Sequence, residues 1–394
     1  MNRCVSYVAC PVPEESGIIE LARALDEGEV DTLVILGGNP VYTAPADLDW
    51  LKRQRMAGTV IRLGDYEDET FRASDLHLPK AHFLESWGDG RARDGTVLSI
   101  QPLTAPLFGG ITDLELLGRL CGLATTSPYE IVRETFRGLA EGDFEHEWYR
   151  FLRDGYLRGS AFPVVDGLNP AWEKVAEIAR VSRPADHVFD ANDSFQLVFV
   201  RDYKVDDGRY ANNAWLQELP DPVTKITWGN VVGLGPGDAA RLGLVLPEGA
   251  VGDVEVPVVR IELAGRTVEG PAWVVPGMAD RTVAVALGYG RTGAGRVGNN
   301  VGFNAYAIRS SDAPHFAYGV VLTNTNRSYP IACTQWHTSL EGRAIVGEIV
   351  YSEYRENPES FRKSRGGDER STRSLYPNPV RDLAKAAAYQ WGMV

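Results

Sequence analysis

The hydrophobic pattern of this chain changes in character near residue 194, and no other feature of the sequence constrains the fold as strongly. Before that point, residues 16–26 carry apolar side chains at helical spacing, and Thr32–Leu36 and residues 59–63 are short apolar runs, as in buried strands. Helices that alternate with such strands are typical of a parallel, doubly wound α/β sheet. After residue 194, short β-type runs alternate with Gly, Pro and Asp turns, which predicts a small β-barrel because closure removes exposed strand edges.

The same patterns predict the remaining elements. A second helix is expected over residues 45–56, and residues 112–181 should be mostly helical, with interruptions near 127–128 and 159–170. The barrel should contain a short helix at 238–242, a tight turn at 249–253, and strands at 197–200, 231–234, 251–261, 272–275 and 282–287.

The end of the chain differs in composition from both parts. Residues 357–372 are rich in Arg, Lys, Ser, Gly and Asp, and they contain too few apolar residues to form a core. We therefore expect a polar tail that becomes ordered only against a partner, with 386–394 as the first strand of a following domain. The predicted domains are residues 1–193, 194–350 and 351–394.

Charge and hydropathy argue against two classes of protein. The chain of 394 residues has 53 acidic and 40 basic side chains and a net charge of -13, which does not suit binding to a phosphate backbone. No apolar stretch approaches the roughly 18 to 20 residues of a membrane-spanning helix, and the first residues do not resemble an export signal. Any membrane association is therefore expected through a partner or through polypeptide outside this sequence.

Metal-binding patterns are weak. The cysteines form neither a CxxC pair nor a cluster, so thiolate ligation of iron or zinc is not expected; they are Cys4, Cys10, Cys121 and Cys333. The histidines His77, His82 and His337 lack a second ligand at metal-binding spacing, and a structural role is expected for each. The acidic turn at 65–69 is most simply a solvated turn.

Two glycine-containing loops are candidates for ligand binding. The first follows the strand Thr32–Leu36, at the carboxyl end where open α/β sheets bind ligands, and consists of Gly37, Gly38, Asn39 and Pro40. Taken alone, it could equally be a plain turn. The second, residues 288–296, lacks the GxxxxGK[ST] pattern of a phosphate-binding loop and is expected to be a glycine hairpin at the mouth of the barrel.

Four loops in a fixed order carry a family resemblance. The Gly-Gly-Asn-Pro loop is followed by Glu-Ser-Trp-Gly-Asp at 85–89, by residues 93–102, and by the Asn-rich loop at 210–219. In this order, and with the barrel segments 228–244 and 274–277, the chain resembles the dimethyl sulfoxide reductase superfamily of molybdopterin oxidoreductases over most of residues 30–345. Within that superfamily it is most similar to the large iron-sulfur, molybdopterin-like subunit of alternative complex III, of which it would be the C-terminal half.

The resemblance implies a site and a barrel type. In the superfamily the barrel is of the double-psi type, and matching loops lie against the two ends of a molybdopterin guanine dinucleotide. Amide side chains suit the edges of pterin and guanine because they offer a donor and an acceptor together. The positions carried over are Gly37, Gly38, Asn39, Pro40, Asn212, Asn213, Trp215, Asn299, Asn300 and Asn304. We also expect 37–40 and 210–216 to face each other where the two parts meet.

The resemblance leaves three functional hypotheses open. The first is a part of an electron-transport subunit in a respiratory, quinol-oxidising membrane complex, without catalysis in this chain. Its partners would be an iron-sulfur domain, quinone-binding membrane subunits and cytochrome subunits on the extracytoplasmic face. The second is the C-terminal half of a catalytic molybdopterin-dependent oxidoreductase, and the third is a non-catalytic scaffold module. The superfamily's metal ligand and Cys cluster lie in the half of the domain before the matched part, so iron and molybdenum are not expected in this chain.

Overall fold

The computed structural model describes residues 6–11, 16–165, 171–181, 194–245, 252–334 and 349–359. The chain divides into two compact units. The first comprises Met1–Pro247 and Gly252–Thr334, and the second comprises Glu248–Val251 and Gln335–Val394. In the second unit the described residues contain one helix, and all other elements below belong to the first unit. The predicted polar tail beyond residue 359 lies outside the described residues.

The elements follow one another in the order α/β, helical, β. The helices are α1 (Ile18–Asp26), α2 (Pro40–Thr43), α3 (Trp50–Gln54), α4 (Asp113–Leu120), α5 (Pro128–Arg137), α6 (Phe144–Asp154), α7 (Trp172–Val181), α8 (Ala214–Glu218), α9 (Pro236–Arg241) and α10 (Tyr351–Glu356). The strands are β1 (Thr32–Leu36), β2 (Thr59–Gly64), β3 (Leu76–Pro79), β4 (Gly88–Arg91), β5 (Val97–Ile100), β6 (Phe195–Val200), β7 (Ile226–Thr227), β8 (Val232–Leu234), β9 (Gly252–Leu263), β10 (Arg266–Val274), β11 (Thr282–Ala286) and β12 (Phe316–Cys333). Short 3₁₀ helices are Ala46–Leu48, Phe71–Ala73, Phe83–Glu85 and Ala305–Ile308.

The first strands form the parallel sheet that the sequence predicts. β1 and β3 both pair with β2 in parallel, and the spatial order is β1-β2-β3. Leu33 and Val60 are register partners and lie in one apolar cluster with Ala22 and Leu25 of α1. Burial of the α1 stripe on this face therefore holds the helix to the sheet.

The single helix predicted over 45–56 is wrong. The segment is instead a 3₁₀ turn, Ala46–Leu48, followed by α3, and Asp49 between them has a φ of 42°. Aspartate tolerates this left-handed conformation better than most residues. Leu48 and Trp50, on either side of the break, both reach the core cluster.

The prediction of a helical region at 112–181 is confirmed, with breaks near the expected positions. α5 and α6 pack through a cluster of aromatic side chains with β5 at its edge. Phe136 and Phe151 stack with ring centroids 4.7 Å apart, and Trp148 meets Phe136 edge to face. Among the described residues of the whole chain, no helix is both long and apolar enough to cross a membrane.

The predicted barrel is present and closed. Its six strands are ordered β6-β11-β8-β10-β9-β12, and β12 returns to pair with β6, while β7 extends one end of β12. Fully buried aliphatic side chains fill the interior, among them Leu197, Leu234 and Ile261. The predicted turn at 249–253 lies mostly outside the described residues.

The closing strand is the one the sequence predicted least well. β12 has 18 residues, the most of any strand described, yet its polar stretch at 323–327 breaks the alternation expected of a strand. The structure explains this pattern by two register shifts, between Ala317 and Val320 and between Asn324 and Arg327. A bulge moves side chains to the opposite face, so a strand that contains bulges loses its period of two.

Candidate functional site

The candidate site lies where the carboxyl ends of β1 and β2 meet loops of the barrel. Among the described residues, hydrogen bonds near this sheet edge cross the junction. They join Tyr42 to Tyr289, Glu69 to Arg291, Thr292 and Gly293, and Arg72 to Thr292. Loop 37–40 is connected to the junction through Glu69, as expected. At the sheet edge, the barrel groups that bond across the junction belong to 289–293, rather than to the predicted 210–216. Farther along, the Arg309 carbonyl oxygen accepts from Ala46 N, and Ser311 donates to Asp47.

The Gly-Gly-Asn-Pro loop has the backbone geometry of a ligand loop, but its asparagine is engaged within the chain. Gly37 and Gly38 have φ values of 71° and 69°, which favour glycine, and a Cβ on Gly38 would meet nothing within 4 Å. Asn39 donates from Nδ2 to Glu69 at 2.7 Å, and its Oδ1 accepts from the Thr70 hydroxyl at 2.6 Å. Pro40 begins α2. The Asn39 side chain therefore links two loops of the α/β part.

An arginine from the middle of a strand fills the space above the sheet edge. Arg62 of β2 is 2% exposed, and its guanidinium donates to the carbonyl oxygens of Gly38 and Tyr66, both at 2.9 Å. It also pairs with Asp68 at 2.6 Å. Asp68 in turn accepts from the backbone N–H groups of Thr70 and Phe71. Burial raises the pKa of Asp68, and the Arg62 charge opposes that shift.

A second buried ion pair crosses the junction. Glu69 Oε2 accepts from Arg291 Nη2 at 2.8 Å, and Oε1 accepts from the backbone N–H groups of Thr292 and Gly293, both at 2.8 Å. The two side chains are only 10% and 6% exposed. Arg291 also donates to the carbonyl oxygen of Gly208 at 2.7 Å. Burial alone would raise the pKa of Glu69, but hydrogen bonds from Arg291 and Asn39 lower it to about 2.

Three tyrosines form an apolar seam beside this pair. Tyr42 donates its hydroxyl to the Tyr289 carbonyl oxygen at 2.7 Å and meets the ring of Tyr306 edge to face at 5.0 Å. The Arg291 guanidinium lies 5.4 Å from the centre of the Tyr42 ring. Burial raises the pKa of Tyr42 well above its usual value, so this hydroxyl stays protonated at any physiological pH. The seam joins the two parts by packing as well as by charge.

The asparagines of the barrel lie in neighbouring loops, and most of their amide oxygens are used by the backbone. Asn212 accepts from Val297 N at 3.0 Å, and Asn299 accepts from Ala294 N at 2.7 Å. The Asn304 side chain accepts from Tyr306 N at the start of a 3₁₀ helix, and the Asn213 side chain accepts from Leu216 N at the start of α8. Asn300 has a φ of 61°, and its backbone N–H donates to Arg291. Trp215 is 88% exposed.

These contacts show which of the predicted residues lie close together and which of their polar groups are already bonded. Asn39 and Asn300 are connected through Glu69 and the backbone of Arg291, so these two loops lie close together. The oxygens of five amides accept hydrogen bonds from this chain. Those of Asn39 and Asn299 accept two each, so their lone pairs are used within the chain. In this arrangement neither Asn39 nor Asn299 offers a ligand a free acceptor beside its donor. Among the described residues, no group of three His, Cys, Asp or Glu side chains could hold a metal ion.

The sequence prediction of a solvated acidic turn is wrong for two of its residues. Asp68 is 5% exposed and Glu69 nearly as buried, because each pairs with a buried arginine. Sequence reasoning also missed Arg62 and Arg291. Arg62 did carry a signal: a charged residue inside an otherwise apolar strand needs a buried partner, and the acidic turn is the nearest source of one.

The histidines behave as expected where they are described. His77 packs edge to face on Phe71, with ring centroids 4.9 Å apart. His82 begins the 3₁₀ helix Phe83–Glu85, and its Nδ1 accepts from Leu84 N. Both roles are structural. His337 lies outside the described residues.

Comparison with known proteins tests the architecture. No model of a protein family matches the chain, and no curated protein matches it. Among solved structures, 56 chains match. One of them is acetylene hydratase from Pelobacter acetylenicus, with a TM-score of 0.50 and 14% sequence identity over 79% of this chain.

The chain shares the fold of acetylene hydratase. It spans 46% of the length of that protein. At this identity the likeness concerns the fold alone.

The pKa of Glu69 predicts a loss of stability in acid. Since the folded-state pKa is about 2 and the ordinary value is 4.5, the stabilisation is fully present above about pH 4.5 and is lost as the pH falls toward about 2. Between about pH 6 and about pH 3, the loss should be about 2 kcal/mol. The free energy of unfolding can be measured in urea for the wild type and for Glu69→Gln. The difference between the two proteins should be smaller at about pH 3 than at about pH 6 by this amount. A difference that is the same at both pH values would contradict the prediction.

Proposed function

We propose that this chain is part of an electron-transfer subunit in a membrane-bound, quinol-oxidising complex of the alternative complex III type. In this proposal the molybdopterin-like domain holds subunits together and does not catalyse a reaction. The family resemblance of the four loops supports the type of complex, and the shared fold of acetylene hydratase supports the domain type.

The main support for a non-catalytic role is that polar side chains of the candidate site are hydrogen-bonded within the chain. The resemblance places a dinucleotide against these loops, yet Asn39, Asn212 and Asn299 bond within the chain. Two ion pairs, Arg62 with Asp68 and Arg291 with Glu69, take up the space between the sheet edge and the barrel. The Asn39 oxygen already accepts two hydrogen bonds, and the Asn39 nitrogen donates to Glu69, so this amide would have to break bonds within the chain to accept from a ligand.

The remaining details of the proposal follow from the resemblance. The barrel would be of the double-psi type, and further strands from polypeptide outside this sequence would complete a doubly wound sheet. The domains would be residues 1–193, 194–350 and 351–394, with the last leading to an iron-sulfur domain. Partners would be quinone-binding membrane subunits and cytochrome subunits, and the location would be the extracytoplasmic face of the membrane.

One observation favours a second candidate, the C-terminal half of a catalytic molybdopterin-dependent oxidoreductase. Gly37 and Gly38 present a left-handed backbone, and Gly38 has open space where a Cβ would lie. Such a loop allows a ligand to approach the backbone closely. If this candidate is right, ligand binding must displace the Asn39 amide from Glu69.

Purification of the native complex distinguishes the two candidates. A tag on this chain should bring down haem and iron-sulfur proteins from detergent-solubilised membranes, with quinol-oxidising activity and without stoichiometric molybdenum or pterin. Gly38→Ala should leave quinol oxidation at the level of the control Gly265→Ala, which has a similar positive φ and equally open surroundings. Stoichiometric molybdopterin, or loss of activity in Gly38→Ala alone, would favour the catalytic half and contradict the proposal.

A further inference from the structure

A pocket of about 260 Å³ opens on the barrel, away from the ion pairs described above. It lies between β7 with the loop that follows it, the middle of β9 and β10, and the second half of β12. Its walls are mainly aromatic and aliphatic side chains: Ile226, Trp228, Val258, Phe303, Tyr329 and Ile331. Because neither the ion-pair junction nor the proposed function uses these residues, the pocket is a separate feature of the molecule.

Glycines allow the walls of this pocket to form. A Cβ on Gly270 of β10 would lie 2.4 Å from the Phe303 ring, so the ring packs flat against bare backbone. A Cβ on Gly302 would lie 2.4 Å from Asn230 Oδ1, the oxygen that accepts from Phe303 N at 2.9 Å. Asn230 also donates to the Phe303 carbonyl oxygen at 3.0 Å. Phe303 is therefore held by its backbone on one side and by its ring on the other.

Two irregularities of the barrel coincide at the pocket. Trp228 has a φ of 51°, a strained conformation for a large aromatic residue, and its side chain is 39% exposed. The bulge between Asn324 and Arg327 directly precedes the β12 residues that line the pocket. Strained residues and bulges persist where the surrounding structure compensates for them, and they are common at binding sites because they re-aim side chains.

The rim of the pocket is polar but nearly neutral in charge. Glu269 accepts hydrogen bonds from Arg260 at 3.0 Å and from Arg327. Of these three residues, only Glu269 and Arg327 line the pocket. An anion at this rim would meet the like charge of Glu269, and the apolar walls disfavour a cation. A guanidinium carries five N–H donors in a plane, so donors other than the one on Glu269 remain for an uncharged acceptor.

From these features we infer that the pocket binds a small, flat, uncharged ring that carries a carbonyl oxygen. The ring stacks between Trp228, Phe303 and Tyr329, and the oxygen accepts from Arg327. Aromatic side chains bind a flat ring through offset or edge-to-face contacts, and a few polar groups at the rim fix its orientation. This inference does not depend on the proposed function.

Coumarin, a flat lactone, is a suitable probe, and 2H-chromene is its match without the carbonyl oxygen. In the full chain labelled with 5-fluorotryptophan, the nine tryptophans give separate fluorine resonances, and Trp228→Phe identifies the one of interest. Coumarin should shift the Trp228 resonance saturably and leave that of the exposed Trp215 unchanged. No saturable shift of Trp228 in the folded chain would overturn the inference.

Two substitutions at exposed positions test the walls and the rim. Ser328→Phe should fill the pocket and abolish the shift, whereas Thr323→Phe, exposed on the same strand but outside the pocket, should not.

Arg327→Met keeps the apolar stem and should weaken the binding of coumarin about tenfold, since a hydrogen bond from a charged donor contributes that much or more. The affinity for 2H-chromene should not change. Equal binding by Ser328→Phe and the wild type would overturn the site, and equal loss for both ligands in Arg327→Met would overturn the role of the carbonyl. The fluorine spectrum reports whether each variant is folded.

Discussion

Replacement of Arg291 by methionine should lower the free energy of unfolding by about 3 to 5 kcal/mol, the cost of leaving a buried charge without its partner. The side chain is 6% exposed, and it donates both to Glu69 and to the Gly208 carbonyl oxygen. Methionine keeps much of the volume but none of the donors. Urea unfolding at neutral pH, followed by tryptophan fluorescence, measures the change.

An exposed ion pair provides the matched control for this prediction. Arg201 pairs with Asp206 at 2.6 Å, but its side chain is 65% exposed, so Arg201→Met should lower the free energy of unfolding far less than Arg291→Met. The double variant Glu69→Gln/Arg291→Met should be less destabilised than the sum of the two single variants, since the second change removes an already unpaired group. If Arg291→Met is no less stable than Arg201→Met, the ion pair does not hold the junction together.

Gly290→Ala should be nearly as destabilising, by about 3 to 4 kcal/mol, because it combines two costs. Gly290 has a φ of 67°, and a Cβ there would lie 2.3 Å from the backbone nitrogen of Asn304. A backbone atom cannot move aside as a flexible side chain can. The substitution must therefore separate two loops that the candidate site brings together.

The control for Gly290→Ala isolates the close approach from the backbone strain. Gly265 has a φ of 76°, and a Cβ there would meet nothing within 4 Å, so Gly265→Ala should cost only about 1 to 2 kcal/mol. Thermal unfolding of both variants gives the difference directly. Equal destabilisation would mean that loop 288–304 can yield at little cost, and the packing argument for this site would fail.

The sequence pointed to the Gly37–Pro40 side of the candidate site, but it did not predict which groups its side chains bond to. The resemblance drew attention to Asn39 and Asn212 as ligand groups, and the structure has both amides bonded within the chain. A side-chain amide suits a ligand edge and a backbone edge equally well, because both present donors and acceptors. Sequence alone cannot choose between these partners.

The sequence by itself determined the type and order of many of the elements, because hydrophobic periodicity is a property of a few neighbouring residues. β1, β2 and the helices between residues 112 and 181 lie where that pattern predicts them. Only the tertiary structure decided which strand closes the barrel and which charges meet. Glu69 and Arg291 are 222 residues apart, and their pairing depends on the path of every loop between them. An apolar strand with one arginine shows that a partner is needed, but the partner's identity is set by packing, since burial is what makes an unpaired charge so costly.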